Sequence, residues 1–302
     1  MKAAKALFLA LLPIISLCFV NVLSIQASGM IFIRADGSIE GTNKIYRNGN
    51  VYTFTGDIED SYGIIVEKTD IVIDGKGHTL QGTHRILPVG SWDYGIELAN
   101  ITSGRVTVKD LKIHDFNIGI YAGTANNTIT GTTITGGNVG ILIAESPTTI
   151  VGNYIENNIE GVFLGPLPHD HTTVYNIFYH NSFVNNTRHV YDCECPDSNW
   201  IQHLNIWDNG TSGNYWSDYS GIDGDVDGIG DKPYQVTEDD VDVRPLMAPL
   251  VLPSKNTGFL GTDLPLETGL AITAGAIVAV SSALYVVLKR KKSKIQQKGT
   301  TS

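Results

Sequence analysis

The sequence predicts an all-β protein whose ordered part is a parallel β-helix, a solenoid of about seven rungs. Three observations support this fold class: the composition, a fixed period of aliphatic residues, and the residue types between them. The 302 residues include 32 glycines, only 17% are charged, and Asn, Thr, Ile and Val are plentiful. This composition is typical of short strands joined by turns, and it argues against a helical bundle, a coiled coil or a fully disordered chain.

The aliphatic residues recur in two series. The first consists of glycine–aliphatic pairs at Gly63-Ile64, Gly95-Ile96, Gly119-Ile120, Gly140-Ile141 and Gly161-Val162, of which the last three are 21 residues apart. The second consists of residues five apart, Val108/Ile113, Ile129/Ile134, Ile150/Ile155 and Phe178/Phe183, and the pairs are 21, 21 and 28 residues apart. Repeats this short cannot bury their own apolar face, so they must stack on one another. We therefore expect the β-helix over residues 61–213, with an insertion near residues 166–171.

Asn and Gly occupy the positions between the repeats, as in Asn126-Asn127, Gly136-Gly137-Asn138 and Asn157-Asn158. These residue types tolerate a positive φ and so suit the corners of a β-helix. No Leu-x-x-Leu-x-Leu pattern supports a leucine-rich repeat. Because end rungs expose unpaired strands, we expect an N-terminal β cap at residues 30–60 and an Asp-rich C-terminal cap at residues 214–247.

The two ends of the chain have the composition of targeting segments. Residues 1–29 combine two early lysines, an apolar run and small residues, which predicts a secretory signal peptide cut after Ala27 or Gly29. The alternative is an uncleaved anchor. Residues 268–288 are apolar and uncharged, long enough to span a membrane as a helix, and residues 289–302 are basic and predicted to be cytoplasmic. With the linker 248–267, this predicts a single-pass cell-membrane protein whose N-terminal ectodomain faces outward.

The predicted ectodomain is strongly acidic. Eight of the 21 Lys and Arg residues lie in the two end segments, which leaves 13 against 31 Asp and Glu in the ectodomain, a net charge of −18. Such a surface argues against nucleic acid as a partner and suits divalent cations. N-glycosylation motifs at Asn100, Asn126, Asn185 and Asn209 fit an exposed surface.

The clearest metal motif is acidic. Asp223, Asp225, Asp227 and Asp231 are spaced so that their carboxylates, with a turn at Gly228, could hold Ca²⁺. Tyr234 stands where an EF-hand has its last carboxylate, so the prediction is an isolated, structural Ca²⁺ loop. The alternative is a solvated acidic turn.

A second motif contains softer ligands. His169 and His171, with Cys193 and Cys195, offer imidazole and thiolate groups that suit Cu or Zn. The alternatives are a disulfide between Cys193 and Cys195, or thiols that are free or linked to a partner.

Aromatic residues indicate a binding surface. Trp92 and Trp200 lie in turn-like contexts and are the candidates for an exposed, sugar-binding face. Trp207, Trp216 and Tyr219 are expected to pack under the C-terminal cap instead.

Three stretches resemble one family. Residues 71–82, 178–186 and 205–210 are similar to the NosD-type right-handed parallel β-helix, a carbohydrate-binding and sugar-hydrolase-like solenoid found in archaeal surface proteins, where it leads into a module like residues 213–219. The resemblance implies a right-handed coil over about residues 30–250. It also implies copper as a cofactor to be considered, because the family name comes from a protein of copper-site maturation.

The case for an enzyme depends on a loop. Pro168-His169-Asp170 resembles the Asp-Pro-His-Asp signature of β-helical alginate epimerases, but Leu167 stands at the first Asp. His169 and Asp170 are therefore weak catalytic candidates, and the sequence leaves enzymatic activity open while favouring its absence. The sequence predicts a membrane-anchored, cell-surface β-helix, structural or ligand-binding, with polysaccharide as the ligand. The alternatives are a polyuronate epimerase, lyase or hydrolase, and a NosD-like metal-handling protein.

Overall fold

The ordered part of the protein is a β-solenoid. The computed structural model describes residues 29–83, 93–99, 101, 104–144, 147–165, 175–193 and 205–251. All the regular elements within these residues are β-strands, so the all-β prediction is confirmed. No helix in the described part of the chain has the length and apolar character to cross a membrane. The predicted transmembrane segment 268–288 and basic tail 289–302 lie outside the described residues, as does the predicted signal peptide up to residue 28.

The strands form three large sheets. In spatial order, sheet A contains β2 (Ile39–Glu40), β1 (Ile31–Ile33), β6 (Ile64–Val66), β9 (Tyr94–Glu97), β12 (Ile118–Ala122), β15 (Val139–Ile143), β18 (Glu160–Leu164) and β21 (Arg188–Asp192). Sheet B contains β19 (Ile177–Tyr179), β16 (Thr148–Val151), β13 (Asn127–Thr130), β10 (Val106–Lys109), β7 (Ile71–Asp74), β4 (Val51–Phe54) and β3 (Ile45–Asn48). Sheet C contains β22 (Tyr215–Trp216), β20 (Ser182–Val184), β17 (Tyr154–Glu156), β14 (Thr133–Thr135), β11 (Lys112–His114), β8 (Thr79–Gly82) and β5 (Ile58–Ser61). A small hairpin follows, with β23 (Tyr234–Gln235) and β24 (Val241–Asp242).

Each regular turn of the solenoid uses one strand from sheet B, then one from sheet C, then one from sheet A. Five such turns run from β7 to β21. The turn before them is less regular, because the register between β5 and β8 shifts, and after β21 the coil continues only through a bridge at Ile206 and strand β22. The predicted solenoid is confirmed. It has five regular turns, and the predicted number of about seven is reached only when the two irregular end turns are included. The right hand of the coil stays a prediction.

The core is a set of interior columns. Parallel pairing places each inward residue directly beside its equivalent one turn away, as with Ile113, Ile134 and Ile155 in sheet C. Both predicted aliphatic series are buried in this way, and the second members of the glycine pairs, such as Ile120 and Ile141, are fully buried in sheet A. The 21-residue period is therefore the length of one turn, as the sequence predicted.

Glycine precedes these sheet A residues because the next turn passes close by. A Cβ on Gly140 would lie 2.6 Å from the carbonyl oxygen of Gly161, far inside van der Waals contact. A Cβ on Gly119 would meet the carbonyl oxygen of Gly140 at the same distance. The glycine column thus leaves room for the backbone of the neighbouring turn.

Buried asparagines join the turns through their side chains. The backbone N–H and the side-chain amide of Asn153 both donate to the Oδ1 of Asn181, at 3.1 and 3.0 Å. Asn181 repeats this with the Oδ1 of Asn214, at 3.1 and 2.9 Å. We call Asn153, Asn181 and Asn214 the first asparagine ladder. A second ladder is formed by Asn176 and Asn205.

The corners use asparagine in two different ways. Asn126, Asn157 and Asn185 have positive φ values of 63°, 53° and 51°, which confirms the reason expected from the sequence. Their neighbours Asn127 and Asn158 instead point inward and bond to adjacent turns. The asparagine pairs thus combine one left-handed corner residue with one buried amide.

Removing one amide of the first asparagine ladder tests its contribution to stability. Asn181→Ala leaves both Asn153 donors and the carbonyl of Ile150 without their partner in a buried site. We expect the free energy of unfolding to fall by about 3 kcal/mol or more, measured by urea denaturation of the full-length protein. The control Asn138→Ala, at an exposed corner, should change it by less than about 0.5 kcal/mol. Equal effects of the two variants would contradict the ladder.

Candidate functional site

Several predicted site residues lie outside the described residues. They are the aromatic candidates Trp92 and Trp200, the loop residues His169, Asp170 and His171, the thiol residue Cys195 and the glycosylation candidate Asn100. Their roles stay predictions.

Cys193 follows sheet A strand β21. Its backbone N–H donates to the carbonyl of Leu164 at 3.1 Å, and Leu164 pairs in register with Asp192. The chain leaves sheet A just after Leu164 towards residues 166–174, and just after Cys193 towards residues 194–204. The two segments that carry the predicted His and Cys ligands therefore start from the same edge of the solenoid, on neighbouring turns.

The acidic motif forms a compact loop after sheet C ends. One carboxylate oxygen from each of Asp223, Asp225 and Asp227 lies within 4.8 Å of the others. Asp223 accepts hydrogen bonds from the backbone N–H groups of Asp227 and Gly228, and the bond from Gly228 contributes most to lowering the pKa of its carboxyl group. The nearby charge of Asp227 raises the pKa of Asp225. The structure thus brings together three of the four predicted ligands.

The fourth predicted ligand, Asp231, is oriented differently. Its Oδ2 accepts a hydrogen bond from the backbone N–H of Gly224 at 3.0 Å, so it closes the loop. Asp218, a further carboxylate that precedes the loop, contacts the hydroxyl of Tyr234 and the imidazole of His189, each at 3.2 Å. Sequence spacing alone gave no means of separating these roles.

Aromatic residues close the C-terminal end of the core. Trp207 stacks on Phe178 with ring centroids 4.2 Å apart, and Trp216 stacks on Phe183 at 4.4 Å. Tyr234 from the hairpin stacks on the other face of Trp216 at 4.5 Å. The two tryptophans are buried, so the expectation that they pack under a cap is confirmed.

A second aromatic set lies on the outer face of sheet A and was missed by the sequence analysis. We call it the sheet A row. Its members pair in register and are all half-buried: Phe32, Ile65, Glu97, Tyr121, Leu142, Phe163 and Tyr191. The ring of Tyr94 stacks on Tyr121 at 5.1 Å, and Phe163 meets Tyr191 edge-on at 5.0 Å. The signal was available, because Tyr121, Leu142, Phe163 and Tyr191 follow the same 21, 21 and 28 spacing.

Three glycosylation candidates can be placed. Asn126 and Asn185 are exposed at corners, where a glycan would meet solvent. The Oδ1 of Asn209 accepts hydrogen bonds from the backbone N–H groups of Thr211 and Ser212, both at 2.9 Å, which fixes its side chain in a local turn. The side chains of Asn126 and Asn185 are therefore exposed to glycosylation, whereas that of Asn209 is held by hydrogen bonds within its own turn.

The hairpin ends both asparagine ladders with carboxylates. Asp242, which is fully buried, accepts from the backbone N–H of Asn214 at 2.8 Å and from the indole of Trp216 at 2.9 Å. Asp240 accepts from the amide of Asn205 at 2.8 Å. A carboxylate can accept but cannot donate, so it terminates a ladder whose last asparagine presents donors.

The electrostatics of this cap are set by burial. Burial raises the pKa of Asp242 to about 6, although the N–H groups of Trp216 and Asn214 favour its charged form. Burial also lowers the pKa of His189, which outweighs the opposite effect of Asp218. The folded cap therefore binds the Asp242 proton more tightly than the unfolded chain does.

This pKa difference makes stability depend on pH. Because the folded pKa of Asp242 is above its ordinary 3.8, its favourable contribution is fully present below about pH 4 and is lost as the pH rises through about 6. Asp242→Asn removes this titration. Relative to wild type, we expect the variant to gain up to about 3 kcal/mol in unfolding free energy between about pH 4 and pH 7, measured by urea denaturation. Asp239→Asn, at an exposed position, serves as control, and a difference that is constant with pH would contradict the assignment.

The architecture defines an all-β parallel solenoid with an acidic C-terminal loop and an apolar row along one outer face. Residues 20–221 match the family described as Periplasmic copper-binding protein (NosD). This is more than half of the chain, and the protein belongs to the NosD family. No curated protein and no solved structure matches the chain significantly.

Among the described residues, the side chains grouped closely enough to hold a metal ion are carboxylates. Their one cluster of three metal-ligand side chains consists of Asp223, Asp225 and Asp227, whose hard oxygen donors suit Ca²⁺ or Mg²⁺ better than copper. His180 contacts the hydroxyl of Ser212, and His189 is held by Asp218. Within the described part of the chain, Cys193 is thus the sole member of the predicted His and Cys set.

Proposed function

We propose that this NosD-family protein is a membrane-anchored solenoid on the outer side of the cell membrane that binds polysaccharide. The observation that supports this best is the sheet A row, a half-buried strip along the solenoid that is apolar or aromatic at every position but Glu97. Apolar strips on protein surfaces commonly mark binding sites. A strip that repeats at every turn suits a ligand that itself repeats.

The dimensions of the sheet A row fit a polymer. Seven parallel strands at about 4.8 Å per strand give a strip about 29 Å long. Its apolar centre, from Tyr121 to Phe163, is bordered by charges: Glu97 on one side, and Arg188 over the ring of Tyr191 on the other. Rings would contact the C–H faces of sugar units, and the charged groups would contact hydroxyls.

The anchoring part of the proposal relies on the sequence. The predicted linker 248–267 follows the C-terminal cap, and the apolar segment 268–288 with its basic tail serves as the membrane anchor. The family name places the protein class in the periplasm, which agrees with an ectodomain outside the cytoplasm.

Retention on polysaccharides tests the binding role. The full-length protein in mild detergent would be applied to a panel of neutral and uronic-acid polymers, and the bound fraction and any change in the polymer would be measured. We expect Tyr121→Ala and Phe163→Ala each to weaken retention about tenfold or more, because each removes a central ring of the sheet A row.

Thr128→Ala, on the outer face of sheet B, is the matched control and should retain the polymer normally. Unchanged retention by both sheet A variants would contradict the proposed surface. Cleaved, unsaturated or epimerised polymer would instead support the enzyme alternative, with His169 and Asp170 as the first residues to substitute.

A second candidate function is metal handling. The family match and the common starting edge of segments 166–174 and 194–204 favour it, because His169, His171, Cys193 and Cys195 belong to those segments or border them. The Ca²⁺ proposal is separate and structural. It assigns the ion to Asp223, Asp225 and Asp227, where a bound cation would relieve the repulsion between carboxylates.

Thermal unfolding with different ions separates these metal proposals. If Ca²⁺ binds the acidic loop, added CaCl₂ should raise Tm, and Asp225→Asn should abolish that rise while Asp239→Asn keeps it. If the His and Cys segments bind copper, Cu²⁺ should raise Tm in wild type and not in Cys193→Ser. No rise with either ion would contradict both proposals.

A further inference from the structure

The outer face of sheet C carries a group of polar side chains. Lys112 and His114 on β11, Thr133 and Thr135 on β14, and Tyr154 and Glu156 on β17 occupy equivalent positions on three neighbouring turns. We call these six residues the sheet C channel. Thr133 and Thr135 are short side chains between the longer ones of β11 and β17, whose strands are two spacings, about 9.6 Å, apart.

The side chains of the channel have unused hydrogen-bonding capacity. Within the described residues, Lys112, Tyr154 and Glu156 have no hydrogen-bond or ion-pair partner for their side chains. The hydroxyls of Thr133 and Thr135 likewise have none there. His114 is the exception, because its ring is held 2.9 Å from Asp115, which also accepts from Gln81 at 3.0 Å.

Lys112 differs from the other strand cations of the described solenoid. Arg188 pairs with Glu160 at 3.3 Å, and Lys109 pairs with Asp74 at 3.0 Å. Arg47 donates to the backbone carbonyl of Gly49 at 3.0 Å. In an ectodomain predicted to be strongly acidic, Lys112 is thus the strand cation that remains available to an anion.

Strand β17 has complementary chemistry. Glu156 can accept hydrogen bonds from hydroxyl groups, and its charge repels a second anion. A tyrosine hydroxyl is protonated at neutral pH, so that of Tyr154 can donate a hydrogen bond. A ligand with one carboxylate and several hydroxyls would place the carboxylate at Lys112 and its hydroxyls over Thr133, Thr135 and Glu156.

We propose that the sheet C channel binds a uronic acid unit of an acidic polysaccharide. The proposal deepens the proposed function and depends on it, since it identifies the sugar class and a second contact surface. The sheet A row provides apolar contact along a polymer, whereas the sheet C channel recognises one charged unit. No covalent step is involved.

Calorimetric titration with a short acidic sugar tests the proposal. Trigalacturonate and its neutral counterpart galactotriose would each be titrated into the full-length protein in mild detergent. We expect trigalacturonate to bind at least tenfold more tightly than galactotriose, with an affinity that falls as salt concentration rises. Lys112→Gln should weaken trigalacturonate binding about tenfold or more, because it removes a charged hydrogen-bond donor.

Lys232→Gln is the matched control, because it removes an exposed lysine from the C-terminal cap with the same change of net charge. It should bind trigalacturonate like wild type, and thermal unfolding would show that both variants fold. Glu156→Gln should weaken hydroxyl recognition of either sugar. Equal binding of the two sugars, or wild-type affinity in Lys112→Gln, would overturn the channel assignment.

The two proposals fail in different ways. Retention of polymers that depends on Tyr121 but not on Lys112 overturns the sheet C channel alone. Binding of trigalacturonate that depends on Lys112, with retention unaffected by Tyr121→Ala and Phe163→Ala, supports the channel and overturns the sheet A row. Failure to bind any polymer or trisaccharide overturns both.

Discussion

Parallel pairing at a constant offset is the constraint on which the solenoid depends. Because β12 pairs with β15 and β15 with β18 in register, each residue lies beside its equivalent 21 positions away. Each position of the repeat must therefore accept a side chain of the same type next to it on the neighbouring turns. Aliphatic residues do so by packing, and asparagines do so by donating and accepting along one line. Glycine does so where no side chain fits between turns, as at Gly140. The outward residues of neighbouring turns pair in the same register, so equivalent side chains form rows on the outer faces.

A column of repeated residues leaves unsatisfied groups where it ends. The C-terminal cap satisfies them with residue types that differ from those of the repeat. Aromatic rings replace the aliphatic side chains at the last turns, and Tyr234 covers Trp216. Asp242 in β24 and Asp240 directly before that strand end two asparagine ladders. The matched family segment ends at residue 221, yet Tyr234, Asp240 and Asp242 lie beyond it. The cap is thus part of the same hydrogen-bonded structure as the solenoid, and its buried acid links the stability of that structure to pH.

Function in such a fold resides on the outer faces, because the interior is filled. The three faces differ in this protein. Sheet A presents an apolar row. Sheet C presents polar groups without intramolecular partners among the described residues, on the strands either side of two threonines. Sheet B presents threonines at equivalent positions, such as Thr107, Thr128 and Thr149. Under the proposals made above, a polymer would contact sheet A through apolar groups and sheet C through charged groups. The acidic loop lies apart from both, in the C-terminal cap.

The sequence by itself determined the solenoid, because a period of 21 residues with glycine and asparagine corners has few other structural solutions. It also identified the buried role of Trp207 and Trp216, since large aromatics close to a chain reversal pack most easily beneath it. It did not identify the asparagine ladders as hydrogen-bonded columns, nor the separation of Asp231 and Asp218 from the other carboxylates of the loop. These depend on side-chain direction, which residue spacing does not specify within irregular segments.

Only the tertiary structure decided that Lys112 has no partner among the described residues while Lys109 does. The reason is that ion pairing depends on which residue of a neighbouring turn stands opposite, and the position opposite Lys109 is Asp74 whereas the one opposite Lys112 is Thr79.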